Sequence, residues 1–230
     1  MFLAQGVNAL IIAPTDSSGM GPAIAEARAR GVPVFTADIA AKDADVVSHI
    51  ASDNYAGGVI LAEYLAKVLG GKGKLAIIDH PEATSVQDRV RGFMETLARF
   101  PDMRIVQRAP GEGQRDKAHR AAEKLLQAHP DLDAIFGIND DSALGALAAV
   151  ESAGLQDRIV IVGFDGTPEA CAAIQAGKAL KADTVQYPRK IGRQTIETVA
   201  AHFRGEETPK IVNVPVGILD KAALDAERGS

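Results

Sequence analysis

The stretch from residue 133 to residue 166 constrains this chain more than any other. Residues 133–138 and 159–163 are apolar and β-branched almost throughout, the pattern of strands covered on both faces in a parallel sheet. Between them lie a polar break (Asn139-Asp140-Asp141-Ser142), an alanine-rich helix over 143–152 and a stop at Gly154. A second break, Phe164-Asp165-Gly166-Thr167-Pro168, follows. Each break puts carboxylates or amides at a strand's C-terminal end and a helix's N-terminus, the edge where open α/β sheets take small molecules. A bound ligand at that edge is the first functional expectation.

The same rhythm fills the chain. Residues 1–5 read as the last turn of a helix stopped by Gly6. Buried strands are expected over 8–14, 32–37, 46–51, 74–78, 104–108, 179–185 and 211–216. Helices are expected up to about residue 30 and over 55–69, 84–100, 114–128, 168–175 and 189–204, with a polar tail after 216. Alternation of this kind specifies an α/β fold of βαβ units with parallel sheets. Nine strands approach the limit of one strongly twisted open sheet, so two domains are expected, with a polar hinge at Ser52-Asp53-Asn54.

Composition excludes several classes. Apolar residues at 47% and charged residues at 24% are ordinary globular values. A net charge of −5, with no long Lys/Arg run, argues against a nucleic-acid partner. The single cysteine, Cys171, cannot form an intrachain disulfide and reads as a small packed side chain. No apolar run approaches the roughly 20 residues of a membrane span. Met1 is followed by neither a basic segment nor a signal-peptidase site.

Catalytic signatures are missing from the sequence. Gly70-Gly71-Lys72-Gly73-Lys74 has the wrong spacing for a phosphate loop. No nucleophile elbow surrounds Ser85, Ser142 or Ser152. The five histidines lack metal-ligand spacing. The Phe164–Pro168 run is similar to the D-x-D-G-T of haloacid-dehalogenase-type phosphatases, but Gly163 stands where the nucleophilic aspartate belongs, so the covalent step has no starting group. No catalytic residue, metal or cofactor is expected. What remains is a set of polar groups at strand ends: Asp38, Asp53, Asn139, Asp165 and Gln186. Singly, each suits helix capping; five together suit a hydroxyl-rich ligand, whose groups both donate and accept.

Three motifs carry a resemblance. They are Val46-Val47-Ser48-His49-Ile50-Ala51-Ser52-Asp53-Asn54; Asn139-Asp140 followed by Ala143-Leu144-Gly145-Ala146-Leu147; and Val162-Gly163-Phe164-Asp165-Gly166-Thr167-Pro168. With them the chain resembles the periplasmic sugar-binding family of ABC transporters, in its ribose-binding branch, from Gly6 to about Leu219. The resemblance implies two Rossmann-like parallel-sheet lobes closing around a monosaccharide or polyol without catalysis, and a membrane permease as partner. The first lobe would take 1–52 and 187–216, the second 53–186 and 217–230. Three hinge crossings would fall near Ser52-Asp53, Gln186-Tyr187 and Val216-Gly217-Ile218.

Carried over by position, Asp38, Asn139, Asp165 and Gln186 resemble the family's hydroxyl-binding groups. Arg89, in Asp88-Arg89-Val90-Arg91-Gly92-Phe93, resembles its second-lobe arginine, with Gln87 in its place if the helix is offset. Phe164 is the ring expected beside the ligand. Ile39 and Gly113 stand where ribose binders carry an arginine and an aromatic, so the resemblance implies a small sugar or polyol rather than ribose itself.

The family also has two further βα units before the position of Met1, roughly 50 residues. The first lobe is therefore expected to be truncated, and its strand over 8–13 to form an open edge, a template for a homodimer. A periplasmic or extracytoplasmic location follows only if such a front carries a signal peptide. The alternatives are the effector domain of a LacI-type regulator, a truncated paralogue acting as an interaction module, and a phosphatase-like enzyme using Asp165.

Overall fold

A computed structural model describes residues 2–228. After a 3-10 turn at Phe2–Gln5, the elements in chain order are β1 (Leu10–Ile12), α1 (Gly21–Ala29), β2 (Val34–Ala37), β3 (Ser48–Ser52), α2 (Asn54–Val68) and β4 (Lys72–Asp79). Next come α3 (Thr84–Leu97), β5 (Asp102–Pro110), α4 (Arg115–Ala128), β6 (Ala134–Gly137), α5 (Asp140–Ser152) and β7 (Val160–Asp165). The chain ends with α6 (Pro168–Gln175), β8 (Leu180–Val185), α7 (Pro188–Phe203), β9 (Ile211–Val214), β10 (Gly217–Asp220) and α8 (Lys221–Arg228). Met1, part of the expected opening helix turn, lies outside the described residues.

The chain divides into two compact units. The first comprises Met1–Asp53, Glu82–Gln87 and Tyr187–Pro215; the second comprises Asn54–Pro81, Asp88–Gln186 and Val216–Ser230. In the first, four parallel strands lie in the order β1-β2-β3-β9. Ile24, Ala27 and Val34 form one buried apolar cluster of this unit, and Ile50, Ile191 and Val214 form another. The strand expected over 8–14 is only three residues long and half-covered, with Ile11 45% exposed, because among the described residues it is the sheet's edge and pairs only with β2.

The second unit is larger. Its six strands run β10-β8-β7-β6-β4-β5. From β4 the chain builds outward in both directions, to β5 on one side and to β6, β7 and β8 on the other, so the strand order reverses between β4 and β6. Ligands of open α/β sheets bind outside the strand C-termini at such a reversal. The core between this sheet and its helices joins Ala76, Ile78, Leu125, Ile135, Ala146, Val150, Ile161 and Leu180.

Two expectations need correction here. The polar tail holds a strand and a helix: β10 pairs antiparallel with β8, Leu219 packs on the core and Leu224 joins it. The strands among the described residues therefore number ten, and this sheet is not wholly parallel. The break at 139–142 is in fact a helix start. Asn139 caps α5, its Oδ1 accepting the Ser142 N–H at 2.9 Å, and Asp140 and Asp141 occupy the first turn, where the helix dipole favours negative charge.

Glycines set the spacing of α2 and α3. A Cβ on Gly58 would sit 2.0 Å from the Arg89 carbonyl oxygen, and one on Gly92 would sit 2.2 Å from that of Tyr55. Both obstacles are backbone, which no rotamer change relieves. Gly58→Ala gains about 1 kcal/mol of helix propensity, but forcing the helices apart costs more, so a net loss of about 2 kcal/mol is expected. Gly192→Ala on α7, where an added Cβ meets nothing within 4 Å, is expected to be neutral or to stabilise by up to about 1 kcal/mol. Urea midpoints of the two variants check the contrast; equal shifts would refute the packing described.

Candidate functional site

The polar groups of the second unit gather around one buried cation. Arg89 projects from α3 and is 5% exposed. A lone charge so placed would be prohibitive, and the fold satisfies it. Nε donates to Asn54 Oδ1 and an Nη to the Ile138 carbonyl, both at 2.8 Å. The guanidinium lies 3.8 Å over the centre of the Phe164 ring. Asn54 opens α2 and Ile138 follows β6, so the arginine ties a helix start to the strand reversal.

Phe164 departs from its expected role. The ring is fully buried, and a Cβ on Gly57 would come within 2.5 Å of it. With one face under the guanidinium and Gly57 pressed close, it serves as a platform for Arg89 rather than a free face for a ligand.

Asp165 closes β7 and stands next to this platform. Its Oδ1 accepts Gln186 Nε2 at 2.5 Å and lies 4.0 Å from an Arg89 Nη. Its Oδ2 accepts the Asp140 N–H at 3.4 Å, and its carbonyl accepts the Gln186 N–H at 3.0 Å. Unlike Arg89, the Asp165 side chain stays 30% exposed. Its φ of 140° is one an L-residue seldom adopts and costs of order 1–3 kcal/mol unless the surroundings impose it. Burial, partly offset by Arg89 and reinforced by Asp140, pushes its pKa up to about 6.

Asn139 lies one strand over. Besides capping α5, its Nδ2 donates to the Gly113 carbonyl at 3.1 Å. Gly113 has φ of 65°, and a Cβ there would sit 3.3 Å from that nitrogen, so the missing aromatic noted above leaves a bare turn held by Asn139.

Arg89, Phe164, Asp165 and Gln186 thus form one linked group, and Asn139 joins through Asp140. Asp38 belongs to the first unit, just after β2, with φ of 67° and its N–H donated to Ile50 at 2.9 Å. Gln87 also belongs to the first unit. Three contributors were not singled out from the sequence: Asn54, which fixes Arg89, and the buried carboxyls of Asp140 and Asp183. The signal for Asp183 is a carboxylate inside the strand run Leu180-Lys181-Ala182-Asp183-Thr184-Val185. Among the described residues no group of three His, Cys, Asp or Glu could hold a metal ion.

A forked cation, a partly exposed carboxylate and a carboxamide side by side can donate to and accept from vicinal hydroxyls together. Residues 1–207 match the periplasmic binding protein domain family, and the chain belongs to that family. It is 39% identical to the ribose import binding protein RbsB of Escherichia coli over 204 residues, which are 88% of this chain and 68% of that one. It superposes with a TM-score of 0.92 at 30% identity on the arabinose-transporter binding protein of Shewanella sp. ANA-3, solved with L-arabinofuranose, over 99% of this chain and 78% of that one. An ABC transporter solute-binding protein from Mycobacterium smegmatis, solved with glycerol, matches at 34% identity and a TM-score of 0.91, over 97% and 78%.

Carboxyl NMR checks the electrostatics. The Asp165 carboxyl is expected to titrate with a midpoint near 6. A group whose folded pKa is raised holds its proton in the folded state after the unfolded chain has lost it, so its contribution to stability declines as pH rises from about 4 through about 6. Asp165→Asn should flatten that decline. A midpoint near 4 would contradict the burial described.

Proposed function

We propose that this chain is the solute-binding component of a sugar ABC importer, that it holds a monosaccharide or polyol without transforming it, and that Arg89, Asp165, Gln186 and Asn139 supply the second unit's contacts. The observation that carries the reading is the Arg89–Asp165–Gln186 row at the C-terminal ends of β7 and β8, beside the strand reversal. Its donors and acceptors are already aligned and anchored from behind, which spares a ligand much of the ordering cost. The relatives named for ribose and arabinose or solved with glycerol support a small hydroxylated ligand, with a permease as partner and an extracytoplasmic place of action.

Titration calorimetry with ribose, arabinose, xylitol and glycerol is expected to give saturable binding by at least one of them. Bonds to charged groups contribute about 1.5–3 kcal/mol, so Asp165→Asn should weaken that ligand about 10- to 100-fold. Arg89→Lys, which loses the fork and the stack, should do at least as much harm. Affinity should also fall as pH drops through about 6 and the Asp165 acceptor is protonated. Silence from all four ligands on the folded chain would overturn the reading.

A further inference from the structure

Behind Asp165 lies a pair of carboxyls that the sugar chemistry does not require. Asp140, in the first turn of α5, is 3% exposed, and Asp183, in the middle of β8, is fully buried. Their outer oxygens hold the two peptide groups that follow Asp165: Asp183 Oδ2 accepts the Gly166 N–H at 3.2 Å, and Asp140 Oδ2 accepts the Thr167 N–H at 2.7 Å. Their inner oxygens converge on the bare α-carbon of Gly163, where an added Cβ would lie 3.2 Å from Asp183 Oδ1 and 3.3 Å from Asp140 Oδ1. Neither inner oxygen meets a donor among the described residues.

Two ionised carboxylates cannot rest that way. An ionised carboxylate only accepts, so two facing acceptors would be unsatisfied, dry and mutually repelling. A single proton removes all three faults, because a protonated carboxyl donates to its neighbour. We propose that Asp140 and Asp183 form one hydrogen-bonded acid–carboxylate pair, and that they act together as positioning residues holding the turn on which Asp165 meets its ligand.

The turn needs such a hold. Asp165 and Gly166 take φ of 140° and 78° in succession, and the pair secures the N–H groups immediately beyond them. The charged groups that act on Asp183 are Asp140 on α5 and Asp165 on β7, with Arg89 on α3 beyond Asp165, while β10 sets Leu219 opposite Asp183. Burial first, then the bond from Asp140 and the charges of Asp140 and Asp165, hold the Asp183 carboxyl well above the ordinary range. The folded chain therefore keeps a proton that the unfolded chain gives up above about pH 4, and this contribution to stability is lost as pH rises through the raised value.

The proposal rests on the binding reading for Asp165's role, but its proton and its turn can be read without any sugar. Carboxyl NMR of the full chain from pH 4 to 8 should find Asp183 still protonated where the exposed aspartates have ionised. In Asp183→Asn the amide replaces the acid's donor and acceptor. Amide exchange at Gly166 and Thr167 and the affinity for ribose or arabinose should then stay within about threefold, with the pH decline in stability reduced. Asp183→Ala should speed exchange at both amides and weaken the sugar, each by about tenfold or more.

Ordinary titration of both carboxyls near pH 4 would overturn the proposal, as would an Asp183→Asn chain as impaired as Asp183→Ala. If Asp183→Ala fails to fold, the retained protection and flattened pH profile of Asp183→Asn still decide. A wild-type chain that binds no sugar, yet keeps the proton and frees Gly166 and Thr167 on Asp183→Ala, sinks the binding reading and supports the pair.

Discussion

Burial of the Arg89 charge is the constraint on which the second unit turns. A guanidinium removed from water costs several kcal/mol unless every direction around it is answered. Here the answers come from parts of the chain far apart in sequence: the Asn54 amide, the Ile138 carbonyl, the Phe164 ring and the Asp165 carboxylate. Each has a further consequence. Gly57 must lack a side chain so that the ring fits, and Gly58 and Gly92 must lack one so that α3 lies close enough to α2 for Arg89 to reach Asn54. The glycines are thus part of the electrostatics, although none bears a polar side chain.

Asp165 is built differently from the cation it faces. Arg89 is anchored from behind and nearly buried, while Asp165 keeps a larger exposed portion and an elevated pKa. A group poised in this way gives up little hydration when a hydroxyl replaces water at its surface, yet remains oriented by Gln186 and by the turn behind it. Placing the strain at Asp165 and the restraint at Asp140 and Asp183 separates binding from bracing. Selective recognition follows from fixed directions more than from the number of bonds.

Much of this was legible in the sequence. The strand–helix rhythm and the strand-end polar residues were readable because fully covered parallel strands give unbroken apolar runs, and because Asp and Asn mark helix starts. Other features were hidden for physical reasons. β10 is four residues long, antiparallel and partly buried throughout, so it shows no alternation to register, and among the described residues α8 has only Leu224 in the core. The Asp140-Asp141-Ser142 run looked like a loop because residues favoured beside a helix also fill its first turn. Phe164 was read as a ligand-facing ring because no sequence pattern records that a guanidinium will cover it. Asp183 passed as one polar letter in a strand, since its meaning depends on Asp140, 43 positions away along the chain.

The most direct test of the account is the side-chain NMR signal of Arg89 Nε–H. A nearly buried guanidinium whose Nε–H is bonded to Asn54 should show one arginine Nε–H that exchanges with solvent far more slowly than those of the surface arginines, and that shifts when a bound sugar reaches Asp165. If every arginine Nε–H exchanges at the rate of an exposed side chain, Arg89 is not buried in its platform and the site described around it does not exist.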